Sequence, residues 1–376
     1  MVAAVNAFVG RSNHLSCFAY SLNLIVESVY KLESFCALCE KVRNIVKFFK
    51  NSVVYSDKLR SSQNCNPPLK PILDVRTRWN SLYYMLDRYV QLAPTIHQIL
   101  VLDSKAPPIP TAQELETITT ILEVLKLFEI ATKEISGEQF VKVSKVIPIV
   151  KTLRAQMRNE MVKNGSNNDI VNKVKMVLND QLTIRFKNIE ENHIHALSCV
   201  LDPRFKNIAF SDPCAYARCL SWLRDMQSHE EVSEAQKDSD VEVVESPEKN
   251  DFWNHIRTLA SGREGGRATQ QRESISEYIH CKLLPVNADP LYFWKENKVK
   301  YPFLSKTALR YLVIPATSVP SERLVSKAGF TLAKTSRLAG KRLDKLLFLA
   351  DCTEEEWGFL RGFFAFNMFT DIQLIF

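Results

Sequence analysis

The apolar positions of this chain recur mainly at three- and four-residue steps. Between Thr111 and Ser136, residues Leu115, Ile118, Ile121, Leu122, Leu125 and Phe128 form one stripe, the period of an amphipathic helix. Thr111 with Glu114 makes a capping box at its start, and Gly137 provides a stop at its end. The same spacing predicts a helix through Cys39, Val42, Val46 and Phe49. Another covers "TRWNSLYYMLDRYVQLAPTIHQIL", with Asn80 or Ser81 as its start signal. Two more run from about Lys145 to Met157 and from about Asp169 to Phe186, the latter with Ile170, Val174, Val177, Leu178 and Leu182. A short apolar piece, Leu15 to Ala19, leads into a further helical pattern. Residues 51–71 read as a polar, proline-bounded connector, and "APPIP" breaks the chain again. The middle of the protein is therefore predicted to be a helical array whose apolar faces pack on one another.

Charge changes this picture after Arg224. Between Asp225 and Asp251 ten acids face two lysines, with few large apolar groups, which predicts a solvated, disordered linker. A bent segment follows. From Tyr292 to Lys345 twelve Lys or Arg face three acids, so an acidic linker precedes a basic module. The net charge of +7 is compatible with nucleic acid without being diagnostic of it. Ten glycines in 376 residues argue against Gly-rich nucleotide folds. Nine cysteines and no signal-peptide pattern predict reduced thiols in an intracellular protein. No apolar run is long enough for a transmembrane helix.

Candidate chemistry is sparse. His14 and Cys17, and Cys36 and Cys39, have intervals that zinc can use. The helical, apolar setting of the second pair favours buried free thiols, and no metal site is predicted. His193 and His195 in "NHIHAL" read as surface groups. No nucleophile elbow is present. Arg78-Trp79 in "DVRTRWNS" places a cation beside an indole at the mouth of a helix, a pairing able to hold a phosphate and stack on a base. Without further context, a core Trp with a surface Arg is the better reading. In "IPATSVPSERLVSKAGF" a loop feeds a short helix with Glu322 and Arg323 in its first turns, and Gly329 sits where that helix would stop.

Four stretches stand in one order: "DVRTRWNSLYYMLDR", "ALSCVLDPRFKNIAF", "DPLYFWKENKVKYPFLSKTALRYLVIPATSVPSERLVSKAG" and "KRLDKLLFLADC". With them the chain resembles hAT-superfamily transposases, most of all their domesticated branch, the zinc finger BED domain-containing proteins. The resemblance implies a mainly α fold, a large helical insertion domain attached to an incomplete RNase H-like α/β core. Residues 1–19 would hold the last core strand, near "HLSCFAY". Residues 20–224 would be insertion, 225–251 the acidic linker and 252–301 the end of the insertion. Residues 302–352 would supply core helices and the family's dimerisation region, leaving 353–376 as an unmatched hydrophobic tail.

The resemblance also assigns roles. Glu322 matches the third carboxylate of an Asp-Asp-Glu metal site whose two Asp lie upstream of Met1 in the family, as does its BED finger. On this reading Glu322 is a remnant, no cofactor is expected, and Mg²⁺ would bind only in a longer form that kept both Asp. The family's C-x-x-H signature reads Cys17-Phe-Ala-Tyr20 here, and "SERLFS" has become "SERLVS" with Val325. Arg78, Trp79, Arg323, Lys327 and Arg337 become DNA-contact candidates; in active relatives that Trp supports a DNA hairpin step. Leu343, Leu346, Leu347 and Phe348 become dimerisation candidates. The expected protein is a non-catalytic nuclear homodimer with weak, sequence-independent DNA binding, no membrane contact and no small-molecule substrate. Two alternatives stand beside it: part of an active transposase, or a helical scaffold that binds proteins and not DNA.

Overall fold

In a computed structural model of the chain, the described residues are 15–75, 79–101, 103–137, 143–162, 168–238, 274–334, 342–343 and 345–347. Among them every regular element is helical. In order these are α1 (Phe18–Glu27), α2 (Glu33–Asn51), α3 (Val53–Ser61), α4 (Trp79–Leu100), α5 (Ala112–Ser136), α6 (Val146–Val162) and α7 (Asp169–Arg185). After them come α8 (His193–Val200), α9 (Pro213–Asp238), α10 (274–280), α11 (Pro290–Glu296), α12 (Pro302–Leu312) and α13 (Val319–Lys334). Two compact units result, Met1–Thr317 and Ser318–Phe376.

Helix α5 is the axis of the first unit. Its apolar stripe buries Ile118, Ile121, Leu125 and Phe128 against α1, α4, α6 and α7. The capping box forms as expected: Glu114 N–H donates to Thr111 Oγ1 at 3.2 Å, and Thr111 N–H donates to the Glu114 carboxylate at 2.9 Å. That carboxylate also accepts from Lys41 of α2 at 2.5 Å, which holds its pKa below the ordinary value. One acid thus caps α5 and ties it to α2.

Three expectations change. Residues 51–71 are not all connector, because α3 lies inside them. Ser52 caps α3 by accepting from Tyr55 N–H, the Tyr55 ring packs 4.5 Å from that of Phe48, and Leu59 is buried. The segment beginning at Asp225 is helical as far as Asp238, continuing α9; the rest of the acidic stretch lies outside the described residues. The expected strand near "HLSCFAY" is replaced from Phe18 onward by α1, with Leu15 to Cys17 irregular. Residues 1–14 lie outside the description, and no strand of an α/β core occurs among the described residues.

A second layer forms around α8, which packs on α6, α9 and α12. Asn192 caps it by accepting from Ile194 and His195 N–H, and residues 195–200 are all buried. His195 is therefore core rather than surface. Burial depresses its pKa to about 4, and Nδ1 has no hydrogen-bond partner. His193 sits edge-on to Trp222 and Tyr311 at 4.9 and 5.7 Å, and burial lowers its pKa too.

Directly after α8, the residues Asp202 to Lys206 form a buried polar clasp. Asp202 accepts from Arg204 Nε at 2.9 Å and Nη2 at 2.6 Å, from the Arg204 backbone N–H at 3.0 Å, and from Ser144 Oγ at 2.5 Å. Lys206 is fully buried. Its ammonium donates to the carbonyls of Tyr278 at 2.7 Å and Cys281 at 2.6 Å, and to Cys281 Sγ at 3.0 Å. Its backbone stands at φ 47°, a left-handed conformation uncommon outside glycine. Trp294 Nε1 donates to Leu201 O at 2.8 Å, Tyr278 Oη to Val200 O at 3.0 Å, and Leu284 N–H to Pro203 O at 3.0 Å. These bonds staple α10 and α11 onto the helical array. Buried charges of this kind persist only where every donor and acceptor is matched.

Candidate functional site

The loop before α4 is held from two sides. Arg43 of α2, buried, makes a bidentate pair with Asp74 at 2.8 and 2.6 Å and also bonds Glu40. The Asp74 hydrogen bond raises the Arg43 pKa. Val75 N–H donates to Ser81 Oγ at 2.7 Å, and that hydroxyl donates back to Val75 O at 2.9 Å. Between these anchors run residues 76–78, so Arg78 lies outside the described residues. Trp79 opens α4 and is 5% exposed, which leaves no face of its ring for a base. As a contact residue it is corrected to core. Cys36 and Cys39 share this neighbourhood, and burial pushes the Cys39 thiol well above its ordinary pKa. No group of three His, Cys, Asp or Glu able to hold a metal ion occurs among the described residues, and His14 lies outside them.

Helix α13 presents the "SER" motif. Glu322 is exposed at its first turn, where the helix dipole favours a carboxylate. Ser318 Oγ donates to Glu322 Oε1 at 2.6 Å, and Glu322 N–H donates to Ser318 O at 2.9 Å. Arg323 is also exposed. The helix continues through Gly329 to Lys334, so this glycine is an interior residue and not a stop.

The basic stretch divides into paired and open cations. Lys300 bonds Glu277 at 2.6 Å, which raises its pKa, and Lys306 pairs with Glu230. Lys295, Lys298 and Arg310 are exposed. The Lys327 side chain and Arg337 lie outside the described residues. Residues 342–343 and 345–347 are helical, with Leu343 and Leu347 half-buried and Leu346 46% exposed; Phe348 lies outside. The features missed by sequence reasoning are the clasp and the Arg43–Asp74 pair. Their signal in sequence is a set of charges next to apolar runs, which by itself reads as surface.

Comparison with known proteins bears on these surfaces. Residues 15–124 match the ZBED1 RNase-like helical domain, and residues 274–352 match the hAT family C-terminal dimerisation region. The chain is thus similar to hAT transposases and matches their dimerisation region. It is 24% identical over 350 residues to human zinc finger BED domain-containing protein 4, covering 90% of this chain and 29% of that protein. It is 22% identical over 338 residues to zinc finger BED domain-containing protein RICESLEEPER 3 of Oryza sativa subsp. japonica, covering 84% of this chain and 43% of that one. It is 21% identical over 367 residues to the putative AC transposase of Zea mays, covering 91% and 44%. The chain spans less than half the length of each of these relatives. No helix among the described residues is long and apolar enough to cross a membrane.

Proposed function

We propose that this chain is a non-catalytic, transposase-derived nuclear protein that self-associates and contacts duplex DNA without reading its sequence. The observation that carries the reading is the dimerisation-region match over 274–352, which overlaps the basic stretch 292–345. Self-association would place two copies of that stretch on one DNA, so modest contacts would be multiplied. Lys295, Lys298, Arg310 and Arg323 are exposed along it. They suit phosphate contact, which supplies affinity but no base readout. The non-catalytic part of the reading is supported by Glu322 being exposed to solvent, with its carboxylate bonded to the Ser318 hydroxyl. The nuclear assignment follows from DNA as the partner.

A salt titration tests the DNA reading. The affinity of the whole chain for a labelled duplex should fall with salt, the log–log slope being about −0.9 per phosphate neutralised. Replacing Lys298 and Arg323 by Gln should flatten the slope by about one for each phosphate that is no longer neutralised. Absence of binding at low salt would leave the scaffold alternative standing in its place.

A further inference from the structure

Lys206 and Cys281 meet where the loop after α8 reaches the end of α10. The Lys206 ammonium donates to Cys281 Sγ at 3.0 Å, besides its bonds to the carbonyls of Tyr278 and Cys281. Its side chain is 0% exposed, and Nζ lies over the Tyr278 ring, 4.8 Å from the centroid. Three directed bonds and the ring hold this nitrogen against the sulfur. Cys281, by contrast, is only half-buried, which leaves an approach for a small oxidant.

We infer that this lysine–cysteine pair is a modification site, at which hydrogen peroxide forms a covalent Nζ–Sγ sulfenamide that locks the clasp. In the first step the sulfur attacks one peroxide oxygen. The O–O bond breaks, an S–OH group forms and water leaves, so sulfur is oxidised and peroxide is reduced. In the second step Lys206 Nζ gives up one proton to solvent and attacks Sγ. The N–S bond forms, the S–O bond breaks, and hydroxide departs with a further amine proton as water. One thiol, one ammonium and one peroxide thus become one sulfenamide, two waters and one proton. Sulfenic acids condense in this way with a nitrogen beside them, and the 3.0 Å separation lies in the near-attack range. Burial favours the product, because a charged ammonium becomes a neutral group. The remaining N–H still serves one of the two carbonyls. The link joins residues 75 positions apart. A thiol reductant reverses it, returning thiol and amine and leaving as its own disulfide.

The test treats the whole chain with hydrogen peroxide, followed by tryptic digestion without reductant and mass spectrometry. The expected product is a peptide pair joined at Lys206 and Cys281, lighter by two hydrogens than the sum of its parts. Cleavage after Lys206 should be lost, and dithiothreitol should restore it. Excess dimedone, which captures sulfenic acids, should divert Cys281 to its dimedone adduct and suppress the link. Cys281→Ser keeps an acceptor for Lys206 and should abolish the link. Lys206→Gln should accumulate the dimedone adduct at Cys281; if that variant does not fold, dimedone competition on the wild-type chain gives the same reading. Cys65 is exposed and reports in each sample that oxidation has occurred. With Cys65 oxidised, recovery of Cys281 as a free thiol, a sulfinic acid or a disulfide would overturn the inference. So would a joined pair that retains an oxygen atom, or a link that dimedone does not suppress.

Discussion

The clasp gives a sharp energetic test. Asp202 is fully buried and Arg204 nearly so, with side chains 0% and 1% exposed. Arg204→Met would remove two charged hydrogen bonds and leave the Asp202 carboxylate with Ser144 Oγ and one backbone N–H. Stranding a buried charge in this way costs about 3–5 kcal/mol. Asp202→Leu strands the guanidinium, which retains only long bonds to Val286 O and Ala288 O at 3.4 Å, and should cost a similar amount. The double variant removes both charges. It should cost clearly less than the two single variants added together, the remainder being roughly 1–3 kcal/mol for each of the Ser144 hydroxyl and Arg204 amide left without an acceptor. A double-mutant cycle should therefore show coupling of about 3 kcal/mol, against about 1 kcal/mol or less for an exposed pair. Urea unfolding followed by tryptophan fluorescence suits the measurement, because Trp294 lies in the clasp. Coupling below about 1 kcal/mol would show that the pair is hydrated in solution and that the staple depends on packing alone.

Two further outcomes follow from the structure. His195 has a folded pKa of about 4, below the ordinary value because burial disfavours its charged form. The unfolded chain thus binds more protons between about pH 6.5 and 4, so stability is full above that window and is lost as pH falls through it. The loss is on the order of 2–3 kcal/mol from about pH 7.5 to 4.5. His195→Leu should lose less over the same range by about that amount; identical pH profiles for both proteins would refute the burial argument. For catalysis, the chain should neither nick nor join supercoiled DNA with Mg²⁺ or Mn²⁺; metal-dependent nicking that Glu322→Gln abolishes would overturn the non-catalytic proposal.

The elements with a repeating apolar stripe were legible in the sequence. Helix α5, its Thr111–Glu114 cap and its buried face all follow from local spacing. Helix α3 was not, because only Leu59 of its nine residues is buried, and its stability comes from Ser52 and from Tyr55 packing on α2. His195 looked like surface because a polar residue between apolar neighbours carries no sign of depth; the burial comes from α6, α9 and α12 closing around α8. The charged residues of "LDPRFK" gave no hint that they face inward. Apart from the Asp202–Arg204 pair itself, their partners lie 58 to 84 positions away in sequence, and periodicity does not register such distances. The basic stretch was legible as charge, but that Lys300 and Lys306 are already matched to acids was not.

The clasp has one more consequence. Lys206 grips Tyr278 and Cys281, and Lys306 of α12 and Glu230 of α9 pair across the same layer. Both flanks of residues 239–273 are therefore anchored to one body. A chain cut between Asp238 and Ser274 would therefore sediment as one particle and part into two pieces only in denaturant.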